Sequence, residues 1–285
     1  YDPIIRGYPG KKWIEVDVLG QELQPIRLKK PVEGKDIFLT LDLPLQKVAE
    51  EAMGQQTGSI IAMDPNNGDI LALVSHPSFD PNLFYGGATS RLRSDLLNHA
   101  DLPMMNRAIQ GQYPPGSTFK IIVVAAILET QGVPPPTVEC HGSLQFGNRR
   151  FRDWKKQGHG HVDFHRSLVE SCDVYYYQMG SRVGVDTIAQ FSDYLGLGVP
   201  TGIRLPGEKP GLIPSTEWKK KRLGDAWYPG ETLSVAIGQG YVLVTPMQMA
   251  MMISAVANEG TLYTPRLILK SHDPQTGVDA VVAGE

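Results

Sequence analysis

The chain has 285 residues, 41% of them hydrophobic and 20% charged, which excludes a disordered polymer and suits one large domain or two ordinary ones. With 27 Lys plus Arg against 30 Asp plus Glu, the net charge of −3 lacks the basic excess of a nucleic-acid binder, so no nucleic-acid partner is expected. The longest apolar run, IIVVAAIL at 121–128, is well short of the roughly 18–20 residues that span a bilayer. The sequence opens at Tyr1 without a charged and apolar leader, so any anchor or export signal is expected upstream. Two cysteines, Cys140 and Cys172, neither demand a disulfide framework nor exclude a single bridge or a metal site.

Residues 1 to about 35 mix Gly, Pro and charge, and the alternation in WIEVDV predicts a strand with Trp13, Glu15 and Asp17 on one side and Ile14, Val16 and Val18 on the other. The pattern sharpens at Asp36, where the domain boundary is placed. There DIFLTLDLPLQKVAEEAM predicts a strand and then a helix from about Asp42, with Pro44 in its first turn. GSIIAMD and DILALVS, joined by PNNG, predict a hairpin in which Asn67-Gly68 supplies the positive φ angles of a tight turn. Residues 76–115, rich in Pro, Asn, Asp and Gly, predict a long surface excursion with one short helix near SRLRSDLLN. QYPPGSTFKIIVVAAILETQG predicts a turn followed by a centrally buried helix, apolar nearly all round and ended by Gly132. Residues 134–165 are expected to be irregular, with helices at about 166–183 and 186–195. The last strong helix is TPMQMAMMISAVANEG, with Thr245 as N-cap, Pro246 first in the helix and Gly260 past its end.

Ser117 and Lys120, three residues apart at the start of the buried helix, share a face, with the amine in reach of the hydroxyl. A serine hydroxyl is a weak nucleophile at neutral pH, and a lysine made less basic by burial can take its proton. The helix start adds backbone donors for a developing oxyanion. Taken alone, the pair equally describes an N-cap serine beside a snorkelling lysine. Fifty residues on, Ser171, Cys172 and Asp173 form S-x-D within a predicted helical segment, adding a hydroxyl and a carboxylate that could relay protons or hold Lys120.

S-x-x-K paired with an S-D-N type motif is the general signature of penicillin-binding proteins and β-lactamases. YPPGSTFK, RDWKKQGHGH, SCDVYYYQMG and IGQGYVLVTPMQMA together resemble the transpeptidase domain of class B penicillin-binding proteins, and among them the elongation-specific penicillin-binding protein 2 group of Gram-negative bacteria. The likeness runs from about LTLDLPLQ at 39 to the end of the sequence. It implies an α+β transpeptidase fold of the penicillin-binding protein and serine β-lactamase type: an antiparallel sheet sandwiched by helices, with a helical subdomain carrying the second motif. Residues 1–35 would be a remnant of an N-terminal pedestal or linker, and 36–285 the transpeptidase domain.

By the same resemblance, Ser117 is the nucleophile acylated by the penultimate D-Ala carbonyl of a peptidoglycan stem peptide, Lys120 is its base, and Ser171 shuttles a proton to the leaving D-Ala. Asp173 stands where many relatives carry Asn, which keeps an oxygen acceptor and removes two amide donors. No catalytic cofactor is implied. Implied partners are stem peptides, β-lactam antibiotics, a RodA-type glycosyltransferase and MreC-like elongation proteins; the implied place is the periplasm, as part of an inner-membrane-anchored protein. The third family motif, K-[ST]-G, has no match: Lys209 is followed by Pro210, and Thr276-Gly277 is preceded by Gln275. The sequence is therefore expected to stop before that strand, which supplies an oxyanion donor. Two other functions fit parts of the pattern. A β-lactamase or β-lactam sensor would share the acylation chemistry, and a non-catalytic scaffold for a glycosyltransferase would not need the third motif.

Four of the seven histidines, His141, His159, His161 and His165, lie between the two cysteines, with Asp153 and Asp163. Thiolate, imidazole and carboxylate are all zinc ligands. Cys140, Asp153, His159 and Cys172 are the expected set for a structural zinc, since they would pin both ends of the stretch to the second motif, with His161 as the alternative ligand. A Cys140–Cys172 disulfide and two free buried thiols are the competing expectations. The methionines of residues 247–252 are expected to be core, at least one of Tyr175, Tyr176 and Tyr177 to face solvent or substrate, and Lys219 to Arg222 to be a solvated face. Trp154 either lines the cleft or covers its loop.

Overall fold

A computed structural model describes residues 2–84, 90–131 and 135–281. A short helix α1 (Asp2–Ile5) leads to an antiparallel ribbon, β1 (Lys11–Val16) and β2 (Glu22–Lys29). The strand expected at WIEVDV is there, but its alternation selects no buried side, since Trp13, Val16 and Val18 are all exposed. Strand β3 (Asp36–Leu39) follows, then helix α2 (Leu43–Met53), started as expected by Asp42, whose carboxylate accepts from the Leu45 amide at 2.9 Å, with proline in the first turn.

The hairpin β4 (Gly58–Met63) and β5 (Ile70–His76) separates two small cores by parity. Ile60, Ala62, Ala72 and Val74 meet Ala49 and Met53 of α2, while Ile61, Met63 and Leu73 meet residues of later helices on the other side. The sheet is thus covered by helices on both faces. Its turn is wider than expected. Only Gly68 has positive φ, and the Asp64 side chain organises the loop by accepting from the Asn66 amide and both Asn side chains.

The excursion at 76–115 holds a 3₁₀ turn (Pro81–Phe84), α3 (Ser90–Leu97) and α4 (Arg107–Gln110). It is not all surface: Ala108 and Ile109 are buried against the hairpin, and the Arg107 amide donates to Ser75 Oγ at 2.9 Å. A second 3₁₀ turn (Gly116–Phe119) runs directly into α5 (Lys120–Gln131), buried as predicted through Ile122, Val123, Ala126 and Ile127. The expected stop at Gly132 lies outside the described residues.

The stretch read as irregular contains two small antiparallel pairs. β6 (Val138–Cys140) pairs with β9 (Gly160–Val162), and between them β7 (Ser143–Phe146) pairs with β8 (Arg149–Arg152). Strands of three and four residues leave too little alternation to read. The helix expected at 166–183 is two, α6 (Phe164–Val169) and α7 (Asp173–Val183), and α8 (Val185–Tyr194) follows a positive-φ Gly184.

α5 packs on α7 and α8 to form the main core, which α7 shares with β6 and with α10 (Pro229–Val235). Between them, α9 (Thr216–Leu223) exposes Lys220, Lys221 and Arg222 as expected, but not Lys219. Lys219 is buried, its amine 2.8 Å from both Glu231 oxygens and over the Tyr228 ring at 4.3 Å. α11 (Pro246–Ala257) has the expected Thr245 cap, and Met247, Met251 and Met252 are core. Strand β10 (Ile268–His272) pairs with β3 and with β11 (Asp279–Val281). Gln275-Thr276-Gly277 lies in the turn between these last two strands, so it is no catalytic strand.

Where α7 crosses α10, a Cβ added to Gly180 would stand 2.3 Å from the Ala236 Cβ. Gly180→Ala is expected to destabilise the fold by about 1–3 kcal/mol, the usual cost of overpacking, as read by denaturant titration. An unchanged midpoint would show that the crossing tolerates an added methyl.

Candidate active site

Ser117 is exposed in the 3₁₀ turn, and Lys120, one turn on, is 2% exposed beneath it. The Ser117 hydroxyl is therefore open to solvent while the amine is sealed from bulk water. The turn is braced from behind: Gly116 N–H donates to the Gly238 carbonyl at 3.0 Å, and Tyr113 and Val244 exchange backbone bonds at 2.9 and 3.0 Å. The segment IGQG thus braces the turn that carries Ser117. A Cβ on Gly238, whose φ is +68°, would lie 2.2 Å from the Gly116 oxygen and 2.7 Å from the Phe119 Cβ. Sequence reasoning gave this glycine no role.

The second motif sits at the break between α6 and α7. Ser171 has φ +50°, a left-handed conformation unusual for serine, and Cys172 is extended before α7 begins at Asp173. The turn points Ser171 and Asp173 at Lys120. Nζ donates to Ser171 Oγ at 2.9 Å, to the Ser171 carbonyl at 2.8 Å and to Asp173 Oδ1 at 2.7 Å. Those three bonds use every proton of an ammonium. Ser171 Oγ in turn donates to Ser117 Oγ at 3.0 Å. The amine therefore reaches the nucleophile through Ser171 rather than directly, a correction to the S-x-x-K geometry expected from spacing. All four predicted residues converge.

Two aromatic residues flank this group. Trp154 is 64% exposed; its backbone N–H reaches Asp173 Oδ2 at 3.3 Å and its indole N–H donates to the Glu170 carbonyl at 3.0 Å. Both contacts tie it to the second motif, so it anchors the loop. The Tyr176 ring lies 5.1 Å from the Lys120 ammonium, a cation–π contact. None of the three tyrosines faces solvent: Tyr175 and Tyr176 are fully buried, and Tyr177 donates from its hydroxyl to the Arg152 carbonyl at 3.0 Å.

Behind the second motif, Cys140, Asp153, His159 and Cys172 are all buried, with their donor atoms within 4.8 Å of one another. Cys140 Sγ is 3.6 Å from Asp153 Oδ2 and from His159 Nδ1, Cys172 Sγ is 3.4 Å from Asp153 Oδ2, and His159 Nδ1 is 3.6 Å from Asp153 Oδ1. Both cysteines are unbonded, so the disulfide expectation is not met. His161, the alternative ligand, is exposed beside Glu139. Burial works against the Asp153 charge. The Val174 and Lys155 amides outweigh it, with help from Cys172 and His159, and hold the carboxyl below its ordinary range. Burial pushes the Cys172 thiol up. These four side chains could hold one metal ion.

A family model for the penicillin binding protein transpeptidase domain matches residues 58–283. The chain belongs to the penicillin-binding protein transpeptidase family. It is 40% identical over 275 residues to the peptidoglycan D,D-transpeptidase MrdA of Acinetobacter baumannii, covering 95% of this chain and 41% of that protein. Among solved structures, Pseudomonas aeruginosa PBP2 in complex with WCK 5153 superposes with a TM-score of 0.81 at 37% identity, over 93% of this chain and 59% of that one. Helicobacter pylori PBP2 in complex with MreC gives a TM-score of 0.84 at 34% identity, over 93% and 50%. The chain spans less than half the length of the MrdA relative it matches. The α+β fold of this family, with antiparallel strands and a helical part carrying the second motif, is the one expected from the sequence.

Proposed function

We propose that this chain is the acylating domain of a peptidoglycan D,D-transpeptidase acting in cell-wall elongation and cell shape, and a target of β-lactams. The observation that carries this is the hydrogen-bonded chain Lys120–Ser171–Ser117, opening on an exposed hydroxyl at a helix start. Once the amine is neutral, rotation of the two hydroxyls hands the Ser117 proton to Lys120 while Ser117 Oγ bonds to the penultimate D-Ala carbonyl carbon. Collapse breaks the C–N bond, and Ser171 passes the proton to the departing D-Ala nitrogen. An amine of a neighbouring stem peptide then attacks the ester, forms the cross-link and frees Ser117. Asp173 pairs with the ammonium and keeps it aimed at Ser171. No step calls for a catalytic cofactor. A strained β-lactam amide enters the same first step, but its leaving nitrogen stays tethered.

Family resemblance supports the rest of the assignment: residues 1–35 as pedestal or linker and 36–285 as transpeptidase domain, in the periplasmic part of an inner-membrane-anchored protein that works with a RodA-type glycosyltransferase and an MreC-like partner. No helix among the described residues is long and apolar enough to cross a membrane. The test is intact mass and peptide mapping after incubating the chain, and the full gene product, with benzylpenicillin. A single lasting adduct on Ser117, absent from Ser117→Ala, is the expected result. Folded full gene product without an adduct would overturn the assignment in favour of a scaffold, and rapid release of the adduct would favour a β-lactamase.

The thiol, imidazole and carboxylate cluster supports a second proposal, a structural zinc on Cys140, Asp153, His159 and Cys172. A tetrahedron with bonds of about 2.1–2.3 Å has edges of about 3.4–3.8 Å; Asp153 Oδ2 lies 3.6 and 3.4 Å from the Cys140 and Cys172 sulfurs and Cys140 Sγ 3.6 Å from His159 Nδ1, with the whole set within 4.8 Å. The ion would cross-link β6, the 153–159 loop and the second motif, and supply no chemistry to the cleft. Protein purified without added metal is expected to carry about one zinc per chain, lost in Cys172→Ser. Zinc-free protein whose unfolding temperature ignores a chelator would sink the idea.

A further inference from the structure

The outer face of the β7–β8 hairpin takes no part in acylation. Directly opposed residues of an antiparallel pair share a face, so Ser143 with Arg152 and Gln145 with Arg150 lie on one side, and Leu144 with Phe151 and Phe146 with Arg149 on the other. Leu144, Phe146 and Phe151 pack on the helical core, which leaves Arg150 and Arg152 together on the outer face. Beside them, Lys156 closes a concavity of about 170 Å³ lined by Gly142, Ser143, Arg150, Arg152, Asp153 and Lys156.

Fixed backbone forms its floor. Gly142 has φ +83°, and a Cβ there would stand 2.1 Å from the Lys156 carbonyl oxygen. Asp153 N–H donates to the Gly142 carbonyl at 2.9 Å, and Arg150 Nε donates to Ser143 Oγ at 2.8 Å. Among the described residues, no carboxylate comes within 4.0 Å of the Arg150, Arg152 or Lys156 cations. Their neighbours are already engaged: Lys155 faces Glu170 at 3.9 Å, and Arg149 lies over the Phe151 ring at 5.6 Å. The one acid in the lining, Asp153, is buried and spends its oxygens on the Val174 and Lys155 amides. A chain of net charge −3 thus holds three uncompensated cations around one hollow. The backbone beneath the hollow runs on to the second motif. Arg152 is two residues from Trp154, whose amide touches Asp173, and the Arg152 carbonyl is held by Tyr177.

From this we infer that Arg150, Arg152 and Lys156 form a carboxylate-binding subsite of the cleft, taking an acidic peptide strand whose free carboxylates flank the reacting carbonyl. The inference rests on the transpeptidase function proposed above and specifies its substrate. Guanidinium forks match carboxylates two bonds at a time, and Lys156 adds a point charge. A lipid phosphate would satisfy the same donors, but the segment carrying Arg152 runs on to Trp154, whose amide touches Asp173, which favours the peptide.

The test compares a labelled stem-like pentapeptide carrying free side-chain and terminal carboxylates with its fully amidated counterpart, by fluorescence anisotropy at low and high salt. The parent chain is expected to bind the acidic peptide roughly tenfold tighter than the amidated one, a preference that fades with salt. Arg150→Gln/Arg152→Gln/Lys156→Gln should bind both alike, while Arg150→Lys/Arg152→Lys recovers part of the preference. Circular dichroism and thermal unfolding of both variants should match the parent, which shows that they fold. Equal binding of the two peptides by the parent, or a preference surviving in the triple Gln variant, would overturn the subsite. So would anionic phosphatidylglycerol vesicles that bind the parent, but not the triple variant, while the peptide preference stays put. A parent that prefers the acidic peptide yet gains no penicillin adduct would keep the subsite and reject the acylation chemistry.

Discussion

Lys120→Met is expected to leave Ser117 almost unacylated, with the penicillin reaction slowed about 10²- to 10⁴-fold, the usual contribution of a positioned general base. Methionine fills a similar volume but donates nothing, so Ser171 Oγ loses the bond that joins it to a proton acceptor. Stability should fall too. Asp173 keeps the Trp154 amide but loses its cation, and its side chain is only 15% exposed. Breaking a buried pair from one side costs about 3–5 kcal/mol, and the partial exposure here puts the expected loss near the lower end. Lys120→Met combined with Asp173→Asn removes the stranded charge, so it should recover most of the stability and none of the acylation. Mass spectrometry reads the first quantity and thermal unfolding the second. Acylation of the single variant within tenfold of the parent would exclude Lys120 as the base.

Gly238→Ala should be nearly as damaging without touching a reacting group. Its Cβ would collide with backbone and with Phe119, both of them parts of the nucleophile turn, and neither is a flexible side-chain end that could swing aside. The left-handed φ adds about 1–2 kcal/mol of strain, and overpacking about 1–3 kcal/mol more. The turn must move to relieve the clash, and a displacement of about 1 Å at a reacting group can cost 100-fold in rate. A fall of about 100-fold in penicillin acylation is therefore expected, with near-parental secondary structure by circular dichroism. Normal acylation would show that the IGQG segment braces the turn loosely and that Ser117 is positioned by α5 alone.

The readable parts of this molecule were those in which cause and effect are close in sequence. Asp42 and Thr245 cap helices that begin at the next residue, and the apolar run after Lys120 is buried because every face of it is apolar. Ser117 and Lys120 were found the same way, as one helical turn. Ser171 was harder, because LVESCDVY carries no glycine or proline at the break to announce a left-handed turn and reads as a helix continuing through. The one signal was the polar S-x-D itself, whose residue types favour helix starts over helix interiors. Long-range causes left less trace. Lys219 looks like part of a solvated charge run until Glu231 and Tyr228 arrive from α10, and Gly238 has its reason 122 residues earlier in the chain, at Gly116. The buried grouping of Cys140, Asp153, His159 and Cys172 was legible from residue chemistry and density alone. The strand pairing of Cys140 with Gly160 that assembles it was not.

The turn from Ser171 to Asp173 distributes three consecutive side chains between two compartments. Ser171 and Asp173 hold the buried lysine beneath Ser117, and Cys172 between them touches Asp153 in the sealed cluster behind. Insertion or loss of one residue would exchange the inward and outward sets at a stroke, leaving a thiol beside the nucleophile and a carboxylate stranded in the interior. Each compartment can therefore drift only by substitution in place. The spacing of the second motif is held from behind as firmly as from the catalytic side, and a lineage that replaced the cluster with apolar packing would still inherit its length.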